Sequence, residues 1–200
     1  SNSLMVEINT AWQKDLELAQ RVLAGNAQAF ADIVKNHQRL VWHMAWRMLQ
    51  HRQEAEDCSQ EVFLRVHQSL KQYRGESALA TWIGRVAFSV ALRMAQKRKL
   101  RLDIPSDFEP ELAFEHIGSG EDVQSSHAEE EQMQALYAAI EQLPSLPRTV
   151  LSLHYRDGLA IAEIANMLDC PEGTVKSHLN RGRNRLKIAL AHMEASYAQL

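Results

Sequence analysis

Apolar residues recur every three or four positions along most of this chain, and that spacing constrains the fold more than any other feature. We find no alternating strand pattern and no internal repeat. The sequence therefore predicts an all-α protein. The predicted helices cover residues 15–24, 30–50, 54–70, 81–99, 129–143, 148–155, 161–168 and 172–193, with Pro144 and Pro147 interrupting the chain between the fifth and the sixth.

Charge is divided into blocks, although the formal net charge is only −3. Residues 81–101 carry basic side chains and no acid, whereas residues 102–147 carry many acids and no Lys or Arg. Such blocks indicate separate surfaces with separate partners. Two prolines and a Gly-Ser-Gly lie within residues 103–127 of the acidic block and predict a linker. We therefore expect two small helical domains, residues 10–101 and 129–193, joined by a flexible linker over residues 102–128.

The composition, 46% hydrophobic and 24% charged, is that of an ordinary globular protein. No apolar run is long enough to span a bilayer, and no secretory signal pattern is evident, so we expect a cytoplasmic protein without direct membrane insertion. Residues 1–4, ahead of Met5, are interpreted as the remnant of an expression tag. Cys58 and Cys170 lack metal-ligand spacing, and we interpret them as reduced thiols that pack as small apolar residues rather than as a redox switch.

Residues 160–185, AIAEIANMLDCPEGTVKSHLNRGRNR, predict a helix-turn-helix. Two short amphipathic helices are joined by a three-residue turn, and the apolar stripe of each helix must face inward. The stripes are Ile161, Ile164, Ala165 and Leu168 in the first helix and Val175, Leu179 and Leu186 in the second. Thr174 at the start of the second helix is expected to offer its hydroxyl and backbone N–H to a phosphate. Lys176, His178 and Arg181 are candidates for base contacts. The side chains that must face outward are Lys176, Ser177, Asn180, Arg181 and Arg183. The alternative is a solvated basic helix packed on its neighbours.

This motif, together with ALYAAIEQLPSLPRTVLSLHYRDGLAIAEIA, resembles the fourth conserved region of bacterial sigma factors. FADIVKNHQRLVWHMAWRMLQHRQEAEDCSQEVFLRVHQSL and YRGESALATWIGRVAFSVALRMAQKRK resemble the second conserved region. Two regions joined by a short linker are similar to the extracytoplasmic-function class, over about residues 15–190. The resemblance implies that the C-terminal motif reads a promoter element about thirty-five base pairs upstream of the start, and that the N-terminal region reads and melts the element about ten base pairs upstream.

The resemblance also implies a contact with core RNA polymerase in EAEDCSQEVF, through its β′ subunit, while the β subunit completes the polymerase interface. The polar side chains concerned are Glu54, Glu56, Asp57, Gln60 and Glu61. The sequence leaves a second interpretation open, because acids near a helix start also stabilise the helix dipole without any partner.

For the downstream promoter element, the resemblance implicates the loop after residue 72 and the basic helix that follows it. Tyr73 would form a wall of a pocket for a flipped base, with Arg74 near the backbone. Trp82 and Phe88 are expected to be core residues rather than stacking platforms. The residues expected to contact this element are Tyr73, Arg74, Ser77, Ser89, Arg93, Lys97 and Arg98, with Lys99 as a further phosphate contact.

Four positions depart from the pattern of the family. Many relatives carry Asn where Ser89 stands, Asp where Arg93 stands and Arg where His178 stands. These differences affect which bases the protein prefers, not the class to which it is similar. The helix-capping Ser or Thr expected before the helix-turn-helix is replaced by Ala160, and we expect this to weaken that helix by about 1 kcal/mol.

We find no phosphate-binding Gly-rich loop and no nucleophile motif, and we expect no catalytic residue, no cofactor and no metal. The resemblance implies control by an anti-sigma factor, which is often membrane-anchored. One rival is a stand-alone helix-turn-helix repressor or activator, but it leaves the N-terminal half without a task. Another is an enzyme with a metal held by His37, His43, His51 or His67. No His-x-x-x-His pair with a third acidic ligand supports that alternative.

Overall fold

The structure is a computed structural model that describes residues 2–101 and 127–197. Every regular element in these two ranges is helical, which confirms the predicted all-α fold. Most of the predicted linker, residues 102–126, lies outside the described residues. The helices are α1 (Asn2–Leu23), α2 (Ala27–Leu49), α3 (Arg52–Ser69), α4 (Leu79–Arg101), α5 (His127–Glu141), α6 (Ser145–Leu151), α7 (Ile161–Leu168) and α8 (Glu172–Tyr197). We call residues 2–101 the first module and residues 127–197 the second module.

Two predicted helix starts are wrong. The first helix begins at Asn2 rather than at residue 15, and apolar residues of its early turns, such as Leu4 and Met5, are exposed rather than buried in the core. The sixth helix begins at Ser145 rather than at residue 148, so Pro147 lies in its first turn. Proline fits there because the first backbone N–H groups of a helix have no intrahelical acceptor. Pro144 therefore precedes α6, and Pro147 does not interrupt it.

The core of the first module forms where α2 packs against α3 and α4. Ile33, Val62 and Ile83 are fully buried there. The start of α2 is fixed by the Asn26 side chain, which accepts a hydrogen bond from the Ala29 N–H at 3.1 Å. Together these contacts hold α3 and α4 side by side with their polar faces outward.

The core of the second module forms where α8 packs on α6 and α7. Val175 and Leu179 are buried, as the predicted inward stripe requires. Gly182 permits the close approach, because a Cβ there would collide with Leu151. Ala160 has no side-chain acceptor for the N-terminus of α7, but the Glu163 carboxylate accepts a hydrogen bond from the Ala160 N–H at 2.8 Å. Half of a capping box is therefore retained despite the substitution.

The two modules contact each other through two helix pairs, α2 with α6 and α4 with α7. Met167 of α7 is 4% exposed because it packs against Gly84 of α4. The apolar stripe predicted for α7 did not include Met167, which packs against the first module.

Candidate functional surfaces

The outer face of α8 carries the cations that the sequence predicted to face outward. Val175 and Leu179 anchor the inner face, so helical geometry turns the intervening residues to solvent. His178 is half-buried, which sets it apart from its neighbours. Arg183 donates a hydrogen bond to the Tyr155 hydroxyl at 2.8 Å. The exposed residues of this face are Thr174, Lys176, Ser177, Asn180, Arg181 and Arg183.

The turn before α8 sets the direction of that helix. Asp169 adopts a left-handed conformation with φ 53°, which ends α7. The Cys170 N–H then donates to the Ala165 carbonyl oxygen at 3.0 Å, and burial raises the pKa of the Cys170 thiol. The Thr174 N–H donates to the Pro171 carbonyl oxygen at 3.0 Å. Of the two groups that the sequence suggested for a phosphate, the Thr174 N–H is therefore already engaged.

The acidic candidates on α3 divide into engaged and available groups. Asp57 and Gln60 are exposed, although Asp57 accepts a hydrogen bond from Gln53 at 3.1 Å on the same helix. Glu56 is half-buried and pairs with Arg52 at 3.1 Å within α3. Asp57 and Gln60 are therefore the groups of this set that a partner reaches most readily.

Glu54 faces the basic helix instead, and Glu61 lies between that helix and Arg65 of α3, with which it pairs at 2.6 Å. Glu54 pairs with Arg98 and Arg101 of α4, each at 3.3 Å, and Glu61 lies 3.7 Å from Arg93. These are exposed or half-buried pairs, which are weak in water. They nevertheless join two candidate surfaces that the sequence treated as separate, because acids of α3 pair with Arg93, Arg98 and Arg101 of α4.

Tyr73 occupies an interior position. The Tyr73 side chain is 5% exposed, its hydroxyl donates to the Ser77 carbonyl oxygen at 2.6 Å, and its ring is tilted against Trp82 with centroids 5.8 Å apart. Burial raises its pKa to about 12. Ser77 is half-buried and Arg74 is exposed. The Tyr73 ring therefore offers no open stacking face to a base in this conformation.

The basic helix α4 presents its polar candidates with different degrees of exposure. Ser89 and Lys97 are exposed, whereas Arg93 and Lys99 are half-buried. Arg98, also half-buried, additionally donates to the Leu49 carbonyl oxygen at 3.0 Å, which ties α4 to the end of α2. Phe88 is 7% exposed and belongs to the core, as predicted. Trp82 is partly buried against that core, which also agrees with its predicted packing role.

A groove between α2 and α3 was missed by the sequence analysis. It encloses about 520 Å³, and Gln60 on its wall also belongs to the acidic candidate surface of α3. The ring of Trp42 stacks on Trp46 with centroids 6.2 Å apart. The signal for this groove was the pair of half-exposed aromatic residues Trp42 on α2 and Phe63 on α3. Its lining residues are Val34, Gln38, Arg39, Trp42, His43, Ser59, Gln60 and Phe63.

The titratable groups proposed for other chemistry are dispersed. Within residues 2–101 and 127–197, no group of three His, Cys, Asp or Glu side chains is arranged to hold a metal ion. Cys58 is fully buried, and burial raises its pKa to about 12, so its thiol packs as a small apolar group. Among the described helices, none combines the length and apolar character needed to cross a bilayer.

Comparison with known families gives two matches along the chain. The family model for sigma-70 region 2 matches residues 33–101, and the model for sigma-70 region 4 matches residues 133–186. The RNA polymerase sigma-H factor of Pseudomonas aeruginosa is 32% identical over 185 residues, covering 89% of this chain and 94% of that protein. The ECF RNA polymerase sigma-E factor of Escherichia coli K12 is 33% identical over 179 residues, covering 86% and 92%.

Solved structures share the fold. The sigma factor RpoE of Bartonella quintana, solved in complex with the anti-sigma factor NepR, aligns with a TM-score of 0.63 at 19% identity over 82% of this chain and 98% of that one. CnrH, solved with the cytosolic domain of CnrY, aligns with a TM-score of 0.60 at 17% identity over 89% and 97%. The all-α arrangement of both modules is therefore that of this family.

Proposed function

The chain belongs to the sigma-70 family of RNA polymerase sigma factors, in the extracytoplasmic-function class, and from this membership we propose a division of labour between its modules. The first module binds core RNA polymerase and the downstream promoter element, and the second module reads the upstream element. The protein acts as an initiation factor rather than as an enzyme. The observation that carries the proposal is the exposed basic face of α8, in a chain whose two regions both match the family.

The upstream element is bound by α8 in the major groove. The exposed cations Lys176 and Arg181 lie on the side of α8 opposite its buried stripe, so both can face one groove while α7 braces the helix. Neutralising phosphates releases counterions, and this requires local rather than global positive charge. A basic face therefore suffices in a chain of slightly negative net charge.

The downstream element is bound by α4 and by the loop before it. Lys97 is exposed and available to a phosphate, whereas Arg93 and Arg98 exchange their acidic partners for DNA. Use of Tyr73 as a pocket wall requires the Ser77 loop to move, because the ring is buried against Trp82. Arg74 and Ser77, at the ends of that loop, and Ser89 on α4 complete the proposed contact.

The polymerase surface is the polar face of α3 with the adjoining groove. We assign its occupant to the coiled coil of the β′ subunit. Asp57 and Gln60 supply exposed polar groups, and Trp42 and Phe63 supply aromatic surface beside them. Aromatic anchors flanked by polar side chains are typical of protein interfaces. Glu54, Glu56 and Glu61 surround this contact, and the β subunit binds elsewhere on the protein.

The proposal for regulation is supported by RpoE of Bartonella quintana, which was solved in complex with an anti-sigma factor. We propose that an anti-sigma factor, often membrane-anchored in this class, covers polymerase-binding surfaces of both modules. The chain itself, as the target of this anti-sigma factor, is a cytoplasmic protein in this proposal. Co-purification of the chain from its native cells, followed by identification of the bound protein, tests this part of the proposal.

Promoter-specific initiation tests the function itself. Core polymerase lacking any sigma factor should start transcription at a cognate promoter only when the purified chain is added.

The variant Asp57→Lys reverses an exposed charge on α3 and should abolish association with core polymerase, whereas helical circular dichroism should not change. Tight, specific promoter binding by the chain without polymerase would instead favour a stand-alone regulator.

A further inference from the structure

The loop that precedes α4, residues 73–78, is held in place by α1. The Asp15 carboxylate accepts a hydrogen bond at 2.9 Å from the backbone N–H of Leu79, the first residue of α4. The first N–H groups of a helix have no acceptor within that helix, so an acceptor from elsewhere helps to fix where the helix starts. Asp15 therefore caps α4 across 64 positions of sequence and fixes the C-terminal end of the loop.

A second contact with α1 lies at Gly75, inside the 73–78 loop. Gly75 adopts φ +72°, in the left-handed region that favours glycine. A Cβ at this position would lie 3.2 Å from Leu16 Cδ2 and 3.3 Å from Leu16 Cβ, so the Leu16 side chain packs directly against the Gly75 backbone. Leu16 is itself half-buried against the core. The loop is thus held by α1 on each side of residues 76–78.

Tyr73 and Ser77 form the part of the loop that has to rearrange. The Tyr73 hydroxyl donates to the Ser77 carbonyl oxygen, and this bond must break before the ring can turn away from Trp82. Burial, and after it the negative charge of Asp15, raises the pKa of Tyr73 to about 12, so the carboxylate that caps α4 also lies near this ring. Neither Tyr73 nor Ser77 takes part in the two contacts with α1. The ring can therefore be exposed while those contacts stay in place.

We propose that Asp15 and Leu16 are positioning residues for the 73–78 loop, which they hold ready to capture a base of the downstream promoter element. The inference deepens the proposed function and rests on it, because that function makes Tyr73 the wall of the base pocket. Without the two contacts, the loop has to be ordered when the base is captured, and the entropy cost of that ordering is subtracted from the binding free energy. Neither residue touches DNA itself.

Binding of single-stranded DNA by the holoenzyme tests the proposal. Core polymerase and the full chain are combined with a labelled strand that carries the downstream element, and binding is compared with strands that each lack one base. The captured base is the one whose removal weakens binding by the wild-type holoenzyme most. Asp15→Ala removes the cap, and Asp15→Asn keeps an oxygen that can accept from the Leu79 N–H. Leu16→Ala removes the contact with Gly75, and Glu17→Ala is the matched control because it removes an exposed carboxylate from the same helix.

Asp15→Ala and Leu16→Ala should each bind the intact strand roughly three- to tenfold more weakly than wild type, as expected for the loss of a helix cap or of a comparable contact. Asp15→Asn and Glu17→Ala should bind it as wild type does. On the strand that lacks the captured base, every variant should match wild type, because the loop then has no base to hold. A merely structural role would weaken binding of both strands by the same factor.

Unchanged binding of the intact strand by Asp15→Ala would overturn the proposal, and so would equal losses on the intact and the base-deficient strands. If Asp15→Ala does not assemble with core polymerase, Leu16→Ala decides by the same two criteria. If base removal at every position leaves binding by the wild-type holoenzyme unchanged, the loop captures no base. In that case the proposed function of the loop fails, rather than its positioning by α1, so the two failures are distinguishable.

Discussion

The two helices that we propose to bind DNA, α4 and α8, differ in how their cations are partnered. On α4, Arg93 and Arg98 pair with acids of α3. On α8, Lys176 and Arg181 are exposed and, within the described ranges, form no ion pair. Under the proposed function, the exposed cations of the second module can meet a duplex directly, whereas those of the first module must exchange their acidic partners for DNA.

The largest expected effect is on promoter binding, and it should differ between a cation of α8 and a cation of α4. Arg181→Ala should weaken promoter binding by the holoenzyme by roughly 1–3 kcal/mol. The guanidinium of Arg181 is exposed, so its contact with DNA does not first require an ion pair within the chain to break. Arg93→Ala should cost less, since the DNA contact of Arg93 already requires its separation from Glu61. Filter binding at two salt concentrations measures both losses. Equal losses would show that pairing on α4 does not restrain its cations.

A smaller effect should follow from removing the acidic partner instead of the cation. Glu54→Gln removes the carboxylate that pairs with Arg98 and Arg101, and it should strengthen binding of single-stranded DNA to the isolated chain by up to about 1 kcal/mol. Fluorescence anisotropy with a labelled oligonucleotide measures the change. Glu56→Gln is the matched control, because Glu56 pairs with Arg52 on its own helix. A gain of the same size in Glu56→Gln would point to net charge alone.

Sequence analysis succeeded where local helical geometry decides the outcome and failed where distant residues decide it. The outward face of α8 follows from the burial of Val175 and Leu179, and periodicity alone indicates that stripe. In contrast, Arg47 and Asp157 meet across 110 positions of sequence, and no local pattern marks such a pair. Tyr73 was expected to form a wall of a base pocket, which stays a prediction; its burial against Trp82 in the free chain was not indicated by the sequence.

The smallest expected effect is on the free energy of unfolding at acid pH, through His43 of α2. Burial, followed by the nearby charge of Arg47, lowers the pKa of His43, while Asp157 opposes the shift and Arg156 and Arg39 add to it. Because the pKa of His43 is lower in the folded chain than its unfolded value of 6.5, the unfolded chain binds more protons as the pH falls below 6.5. The stabilisation from neutral His43 is thus complete above that pH and is lost as the pH falls through the folded pKa. Chemical denaturation of wild type and His43→Gln across this range should show a smaller acid loss in the variant, and parallel curves would mean that His43 does not contribute to it.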